Sequence, residues 1–252
     1  MMNESTIDSA RVTEQYRTSA NLGKRISLHE RFSTNSQSWH RWIFEHLDLP
    51  DECRILELGG GPGKLWSENL DRIPTEWQIT VTDFSAGMVA EAVKNLASHP
   101  RPFTFKIVDA QRVPFDDATF DAVMANHMLY HVPDREQALS EMRRVLKPGG
   151  HFYASTVGET HMQELWDMAE SLVPGVNAQV RANTLGFNLE NGREILAPWF
   201  SEIKVHLFDD ALVVTEAEPL IAYVLSSTTL TGELIPKAQR EAFANLVERR
   251  IA

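Results

Sequence analysis

The sequence predicts an α/β fold with a doubly wound, mostly parallel seven-stranded sheet that ends in one antiparallel strand. Between residues 51 and 157, strand-like apolar runs alternate with helical patterns, which is typical of a parallel sheet. A glycine-rich turn directly follows the first of these runs. Further on, residues 203–207 and 211–215 are β-rich runs that only residues 208–210 separate. Because a connection this short cannot be a crossover, the last two strands are expected to be antiparallel.

Five strands and two amphipathic helices are expected in the central part of the chain. Apolar residues recur at helical spacing in residues 88–96 and again in residues 138–146. The run 147–150, Lys-Pro-Gly-Gly, predicts a helix stop and a turn into the fifth strand. The strand candidates are residues 55–58, 78–82, 103–108, 120–125 and 152–156.

Changes in pattern divide the chain into four expected segments. The central one, which alternates strands and helices, forms the core, and helical or mixed segments flank it. The segments are a helical N-terminal cap (1–50), the Rossmann-like core (51–157), a helical lid insertion (158–200), and C-terminal strands and helices that complete the core (201–252).

Composition excludes several classes of protein. The chain has 252 residues, 43% of them apolar, and a formal net charge of −11, which disfavours nucleic acid as a partner. A single cysteine, Cys53, cannot form an internal disulfide or a zinc cluster, and no metal site is expected. The start of the chain is polar, and no apolar run approaches the length of a membrane span. A cytoplasmic monomer or homodimer with no membrane partner is therefore expected.

The glycine-rich turn does not have the spacing of the common nucleotide-binding loops. The dinucleotide fingerprint needs glycines at i, i+2 and i+5. Counting from Gly59 or from Gly61, the third position holds Lys64 or Trp66. A P-loop needs a glycine where this chain has Leu58. Both interpretations fail on spacing.

The pattern that remains is an acidic residue followed by alternating glycines. Glu57 is followed by Gly59, Gly61 and Gly63 at the end of the first predicted strand. This pattern resembles the first motif of the class I S-adenosylmethionine-dependent methyltransferases of the small-molecule type. The resemblance implies that the turn holds the methionine part of S-adenosylmethionine, and that these four residues belong to the cofactor site.

Two more acidic residues lie at strand ends where this family binds the nucleoside. The resemblance implies that Asp83 accepts hydrogen bonds from the ribose hydroxyls and that Asp109 accepts one from the adenine amino group. The backbone N–H of Ala110 would meet a ring nitrogen, while Phe84 and Met88 would flank the adenine. Each feature also has a structural interpretation: an N-cap for Asp83, a turn for Asp109 and ordinary core packing for the apolar pair.

The end of the fourth strand resembles the family motif beside the reacting methyl group. Asn126 is expected to contact the cofactor, and His127 is the candidate general base because its ordinary pKa suits proton removal near neutrality. The alternative for His127 is that it only lines the pocket or caps a helix. Tyr130 and His131 follow one helical turn later and are tentative pocket residues, although packing is the favoured role of His131.

Two segments outside the core are expected to cover the acceptor pocket, residues 16–44 and 159–187. In the first segment, His29 and Phe32 are tentative pocket residues; a solvated helix face with Phe32 packed inside is the alternative. The polar aromatic and histidine residues of both segments are Tyr16, His29, Phe32, Trp39, His40, His161, Trp166 and Phe187.

The function expected from these patterns is a methyltransferase of the EC 2.1.1 class that acts on a small molecule, at oxygen or nitrogen rather than carbon or sulfur. The cofactor would supply the electrophilic methyl group, and the protein would orient the acceptor and remove a proton. Two alternatives stay open: a protein that binds S-adenosylmethionine or S-adenosylhomocysteine without methyl transfer, and an NAD(P)-dependent oxidoreductase. A nucleic-acid or protein methyltransferase is a weaker interpretation, given the acidic charge.

Overall fold

A computed structural model describes residues 20–97, 103–226, 228–229 and 232–251. Tyr16 of the expected lid lies outside these residues. Two helices come first, α1 (Ala20–Phe32) and α2 (Trp39–Glu45). The central elements are β1 (Cys53–Glu57), α3 (Lys64–Ser67), β2 (Trp77–Asp83), α4 (Ala86–Leu96), β3 (Thr104–Ile107), β4 (Phe120–Asn126), α5 (Arg135–Val145) and β5 (Leu146–Ser155). The remaining elements are α6 (Gln163–Glu170), α7 (Val176–Thr184), α8 (Gly192–Leu196), α9 (Ala217–Ser226), β6 (Thr228–Thr229), β7 (Gly232–Glu233) and α10 (Arg240–Ile251).

The central sheet is parallel, with the strand order β3-β2-β1-β4-β5. This confirms the α/β alternation and the five central strands that the sequence predicts. The strand order reverses between β1 and β4, and ligands of open α/β sheets bind at the carboxyl ends of the strands at such a point. The end of β1 carries the glycine turn, and the end of β4 carries Asn126 and His127.

Burial on both faces and polar helix caps account for the central elements. Ile55 and Leu56 of β1 are fully buried, as expected for a parallel strand covered by helices on both sides. Ser85 begins α4, where its side chain accepts the N–H of Met88 at 3.3 Å. Asp134 begins α5 in the same way.

The expected sixth and seventh strands are not part of the sheet in the described residues, where it has five strands, all parallel. Residues 201–215 instead run along the end of α1. There the N–H of Val213 donates to the carbonyl of Phe32 at 2.9 Å. The Asp210 carboxylate accepts the Ser33 hydroxyl at 2.7 Å. These hydrogen bonds hold the segment on the N-terminal cap, so its backbone groups do not extend the sheet beyond β5.

The glycine-rich turn before the fifth strand is also different from expectation. β5 begins at Leu146, directly after α5, and its pairing with β4 shifts between Phe120 and Ala122. Gly149 has a φ of +77°, and a Cβ at Gly150 would lie 2.8 Å from the carbonyl oxygen of Asp121. The expected turn is therefore an irregularity within β5 that only glycine permits.

A second core, separate from the two sides of the sheet, lies among the outer helices. It joins α1 to the lid helix α6 and to the C-terminal helices α9 and α10. None of the helices in the described ranges combines the length and apolarity needed to cross a membrane. Together, helices α1, α6, α7, α9 and α10 form one helical layer beside the sheet. Its buried residues are Leu28, Phe32, Leu165, Trp166, Ala169, Val176, Leu220, Tyr223, Val224, Leu234, Ile235, Phe243 and Val247.

Candidate active site

A cleft of about 3030 Å³ includes the carboxyl ends of the strands, where it borders the helical layer, and continues along β5 as far as Lys147. Its volume exceeds the roughly 300–1,000 Å³ of a typical ligand pocket, which leaves space for two ligands together. All the predicted cofactor residues except Gly63 line it, namely Glu57, Gly59, Gly61, Asp83, Phe84, Met88, Asp109, Ala110 and Asn126.

The glycine turn lies so close to its neighbours that side chains are excluded. A Cβ on Gly60 would lie 2.7 Å from Glu57 Oε2 and 2.8 Å from Val81 Cγ1. Gly59 and Gly61 have φ values of +69° and +55°, which few other residues adopt. Gly60 lies outside the alternating pattern, so sequence reasoning missed its role in packing the turn onto Glu57.

Gly63 has a structural role, contrary to the prediction that it binds cofactor. It is the N-cap of α3, with a φ of +76°, and is not among the described residues that line the cleft. A Cβ there would lie 2.9 Å from Leu96 Cδ1. Gly63 therefore permits α3 to pack closely against α4.

Glu57 is buried beneath the turn. Its Oε2 accepts the indole N–H of Trp66 at 2.6 Å, and the Asn126 side chain lies close enough to favour the carboxylate form. Burial nevertheless raises the pKa of Glu57 to about 7. Trp66 is fully buried, and the sequence offered no sign that it would pair with Glu57.

Asp83 connects the end of β2 to the glycine turn. Its carboxylate accepts the N–H of Gly61 at 2.9 Å and that of Ser85 at 2.8 Å. Burial raises the pKa of Asp83, although the backbone N–H groups of Ser85, Gly61 and Phe84 oppose this shift. Because Ser85 is the N-cap of α4, Asp83 does not fill that role. A carboxylate has about four lone-pair sites, so Asp83 keeps capacity for a ligand in the cleft.

The residues expected around the adenine lie together along one wall. Asp109 Oδ1 accepts both the backbone and the side-chain N–H groups of Gln111, at 2.9 and 3.0 Å. The turn role that was the alternative for Asp109 is therefore present. The Phe84 side chain is 43% exposed and is available to a ring placed in the cleft. Met88 is fully buried, so it packs in the core while bordering the cleft, and Ala110 is also buried.

Buried polar side-chain atoms lie at the ends of β4 and β5. Ser155 Oγ is buried and forms no hydrogen bond in the described structure, and the buried Asn126 Nδ2 has only the Glu57 carboxylate close to it. The two residues are paired in the sheet, and the N–H of His127 donates to the Ser155 carbonyl at 3.1 Å. Buried polar atoms of this kind indicate an absent ligand or water. The pairing of the two strand ends was the signal that could have identified Ser155.

His127 follows β4 with a φ of +49°, which is unusual for a residue with a side chain. Its ring centroid lies 4.7 Å from that of Trp39 and 6.5 Å from that of Tyr130. Burial is the main cause that lowers the pKa of His127 to about 3, and positive charge on His161 and the neighbouring histidines contributes to the same shift. The imidazole is therefore neutral at neutral pH, and it is a weaker base than its ordinary pKa would make it.

The side of the cleft that is expected to hold the acceptor combines residues from 1–50 with residues from 158–200. His29 of α1 stacks on His161 at a centroid distance of 5.9 Å and contacts Tyr223 of α9 edge-on. Tyr130 and His131 also line the cleft, and burial lowers the pKa of His131 to about 3. Sequence reasoning missed Tyr223, because it comes from a distant C-terminal helix.

Phe32 does not line the cleft, contrary to the prediction. Its side chain is 8% exposed and packs in the core of the helical layer, and it is not among the described residues that border the cleft. Leu28, one turn earlier, is buried in the same core. The apolar face of α1 therefore points toward α6 and α9, and this places Phe32 in the packing role that was its alternative.

The cofactor side of the cleft fits S-adenosylmethionine. Its three acidic side chains, Glu57, Asp83 and Asp109, are acceptors that suit the ammonium, ribose and adenine amino donors of this molecule. The glycine turn leaves space beside Gly61, where a Cβ would meet only Leu22 at 3.6 Å. Asn126 at the end of β4 and Ser155 at the end of β5 place two further polar side chains beside this side of the cleft.

Comparison with known proteins agrees with this geometry. A family described as a methyltransferase domain matches residues 56–154. The ubiquinone/menaquinone biosynthesis C-methyltransferase UbiE of Geobacter sulfurreducens is 37% identical over 114 residues, which cover 44% of each chain. UbiE of Desulfotalea psychrophila is 35% identical over 114 residues and 45% of each chain. The sterol 4-C-methyltransferase strm-1 of Caenorhabditis elegans is 33% identical over 118 residues, which cover 46% of this chain and 34% of that protein.

The matches span less than half the length of these relatives. The residues of the family match include the glycine turn, Asp83, Asp109 and the end of β4. Residues 56–154 are therefore a methyltransferase domain of the class I, S-adenosylmethionine-dependent type.

Proposed function

We propose that this chain transfers the methyl group of S-adenosylmethionine to a small-molecule acceptor and that His127 receives the proton that the acceptor loses. The observation that carries the proposal is the position of His127. Its neutral imidazole follows the end of β4, next to Asn126 in the chain, and the backbone N–H of His127 donates to the carbonyl of Ser155, whose Oγ has no partner in the described structure. A group placed there borders both the cofactor side and the acceptor side of the cleft.

Each residue on the cofactor side has a role in the proposal. Asp83 would hold the ribose hydroxyls, and Asp109 and Ala110 would hold the adenine edge, with Phe84 and Met88 against its ring. Glu57 and Asn126 would receive the amino group, and the backbone at Gly59 and Gly61 would approach the methionine part. The support for these roles is that all of these residues line one continuous cleft.

When bound, S-adenosylmethionine supplies an electrophilic methyl group, and the protein has to place and activate the acceptor. Trp39 and Tyr130 both lie near the His127 ring, at centroid distances of 4.7 and 6.5 Å, and would help to orient the acceptor. The helical layer would exclude water, which is the role proposed for the cap (1–50) and the lid (158–200). His127 would take the proton from the nucleophilic atom.

The relatives do not support the expected preference for oxygen or nitrogen acceptors. The names of all three describe C-methyltransferases. The proposal therefore includes carbon as an acceptor atom, since removal of a proton by a neutral imidazole serves carbon, oxygen and nitrogen alike. The net charge of −11 supports a small molecule over a nucleic acid. A cytoplasmic monomer or homodimer stays part of the proposal.

The first experiment measures binding and transfer separately in the full chain. Calorimetry with S-adenosylmethionine, S-adenosylhomocysteine and NAD⁺ tests which cofactor is bound. Mass spectrometry of a small-molecule panel then detects products that carry one additional methyl group. We expect binding of both adenosyl compounds, no binding of NAD⁺, and at least one methylated product.

The role of His127 is tested with His127→Gln, compared with His151→Gln as the control. His151 also borders the large cleft, but it is exposed and pairs with Ala122, four residues before the pair of Asn126 with Ser155. Loss of a general base typically lowers turnover by roughly 100- to 10,000-fold, while S-adenosylhomocysteine affinity should stay near normal. Full turnover in His127→Gln would show that the ring only lines the pocket. Cofactor binding without any methylated product would favour the alternative of a binding protein.

A further inference from the structure

Trp66 lies beneath the glycine turn but outside the cleft. It belongs to the short helix α3, which begins directly after Gly63, and it is fully buried in a core formed with β1, β2 and α4. It is not among the described residues that line the cleft. An effect of Trp66 on a bound ligand would therefore have to pass through a residue that does line the cleft, and its indole is hydrogen-bonded to such a residue, Glu57.

The indole N–H of Trp66 donates to a side-chain carboxylate, Glu57 Oε2, at 2.6 Å. Trp77 at the start of β2 belongs to the same core and shows the commoner arrangement for a side-chain donor. Its indole N–H donates to a backbone carbonyl, that of Pro50, at 2.8 Å. A hydrogen bond to an ionised carboxylate is about twice as strong as one to a neutral acceptor. The Trp66 bond therefore fixes the orientation of Glu57 more firmly than packing alone would.

Neutral groups hold the Glu57 carboxylate and leave its charge uncancelled. The side chains of Trp66 and Asn126 both favour the ionised form. Among the described residues, the charge that acts on Glu57 is that of Asp83 on β2, which is negative. Lys64, in the same helix as Trp66, is paired with two other glutamates and is not among the groups that act on Glu57. Because buried charges need an opposite charge, this carboxylate suits a cationic ligand.

The Glu57 carboxylate is fixed against the glycine turn and keeps capacity for a ligand. A Cβ on Gly60 would lie 2.7 Å from its Oε2, so this oxygen lies between the indole and the turn. A carboxylate has about four lone-pair sites, and Trp66 and Asn126 occupy only part of them. Building on the cofactor binding proposed above, we infer that Trp66 is a positioning residue, whose indole N–H holds the Glu57 carboxylate in place to receive the ammonium group of the cofactor.

The first test compares Trp66→Phe with the control Trp77→Phe, since phenylalanine keeps an aromatic ring but removes the indole N–H. Calorimetry with the full chain measures S-adenosylhomocysteine binding from about pH 6 to about pH 8. Without the Trp66 donor, the pKa of Glu57 should rise by about one unit, so binding at pH 7 should weaken about fivefold and tighten again at higher pH. Trp77→Phe should keep the affinity and pH profile of the unaltered chain, because Trp77 contacts Pro50 instead.

A second ligand and a double variant separate loss of positioning from general damage to the site. 5′-Methylthioadenosine has the nucleoside and the sulfur atom but no amino group, so Glu57 would have no ammonium to receive. Trp66→Phe should bind it as the unaltered chain does. The double variant of Glu57→Gln with Trp66→Phe should bind S-adenosylhomocysteine within about twofold of Glu57→Gln alone, because the two residues act through one contact.

The indole N–H resonances provide a test that needs no tryptophan variant. The chain has six tryptophans. In the NMR spectrum of the unaltered chain, one of their indole N–H resonances should shift as Glu57 ionises, with a midpoint at about pH 7, because the strength of the Trp66 bond depends on that charge. Glu57→Gln should abolish this shift.

The outcomes separate this inference from the proposed function it builds on. An unchanged pH profile in Trp66→Phe, equal weakening of both ligands or additive effects in the double variant would overturn the positioning role, as would indole resonances that do not respond to Glu57. Failure of S-adenosylhomocysteine to bind the unaltered chain would instead overturn the proposed function. The indole resonances decide whether Trp66 and Glu57 are coupled even where Trp66→Phe does not fold.

Discussion

The carboxylate of Asp83 accepts the backbone N–H of Gly61 at 2.9 Å, so the end of β2 fixes the glycine turn that follows β1. The same carboxylate binds the N–H of Ser85 at the start of α4. One side chain thus positions the turn, the next helix and its own oxygen atoms. Asp83, which was predicted to bind ribose with an N-cap as the alternative, therefore also shapes the surface on which the cofactor would lie.

Asp83→Ala should weaken S-adenosylhomocysteine binding by at least about tenfold, because hydrogen bonds to a charged group contribute roughly 1.5–3 kcal/mol each. Calorimetry measures this affinity. The matched control is Asp116→Ala, an exposed aspartate away from the cleft, which should bind normally. The S-adenosylhomocysteine affinity of Asp83→Asn should lie between those of Asp83→Ala and Asp116→Ala, because an amide oxygen can still accept the Gly61 N–H. Normal affinity in Asp83→Ala would contradict the ribose assignment.

Gly60→Ala should destabilise the protein, because the added Cβ would lie 2.7 Å from Glu57 Oε2 and 2.8 Å from Val81 Cγ1. Overpacking of this kind costs about 1–3 kcal/mol in the free energy of unfolding, which urea denaturation measures. Gly23→Ala is the control: a Cβ at Gly23 has nothing within 4 Å. In the helix α1 this second change should stabilise by roughly 0.5–1 kcal/mol. Equal stability of both variants would contradict the close packing of the turn.

Glu57 should make stability fall as pH rises. Its pKa is raised from 4.5 to about 7, so the folded chain holds this proton more tightly than the unfolded chain. The stabilisation that comes from this bound proton is fully present below pH 4.5 and is lost as pH rises through about 7. The free energy of unfolding decreases over this range by no more than about 1.4 kcal/mol per pH unit. Urea denaturation across this range should show that Glu57→Gln removes the loss. An identical pH profile in the variant would show that Glu57 does not hold this proton.

Glu57 should also link cofactor binding to pH. A cationic cofactor favours the ionised carboxylate, so S-adenosylmethionine should bind more tightly as pH rises through about 7, with release of protons. Calorimetry in buffers of different ionisation enthalpy measures that release. Glu57→Gln should bind with no such pH dependence in this range.

Three half-buried histidines, His127, His131 and His161, should make the protein less stable as pH decreases, which is opposite to the effect of Glu57. Burial lowers the pKa of His127 and His131 from 6.5 to about 3, and that of His161 to about 4. As pH decreases below 6.5, the unfolded chain binds protons that the folded chain does not bind. The free energy of unfolding therefore decreases as pH decreases. His131→Gln should reduce the slope of this fall relative to His151→Gln, because His151 is exposed. Because Glu57 has the opposite effect on stability, the test compares the pH dependence of the two histidine variants with each other. Equal slopes of stability against pH in both variants would contradict the lowered pKa of His131.

The sequence by itself determined the cofactor half of the site. The strands, the glycine turn and the acidic residues at the ends of β2 and β3 follow from local patterns, and a parallel sheet brings the carboxyl ends of its strands to one edge. Asp83, Asp109 and Asn126 therefore lie on one cleft, as predicted. Local pattern also identified the outer helices, but not which of their faces meet.

Only the tertiary structure decided the acceptor half and the outer edge of the sheet. The stacking of His29 on His161 and the contact with Tyr223 join three segments that are far apart in sequence. Residues 201–215 have the pattern of a strand pair, yet the hydrogen bonds of Asp210 and Val213 hold them on α1. Local propensity specifies how a segment can fold, but the partners that bury its apolar face and satisfy its backbone are set by long-range packing.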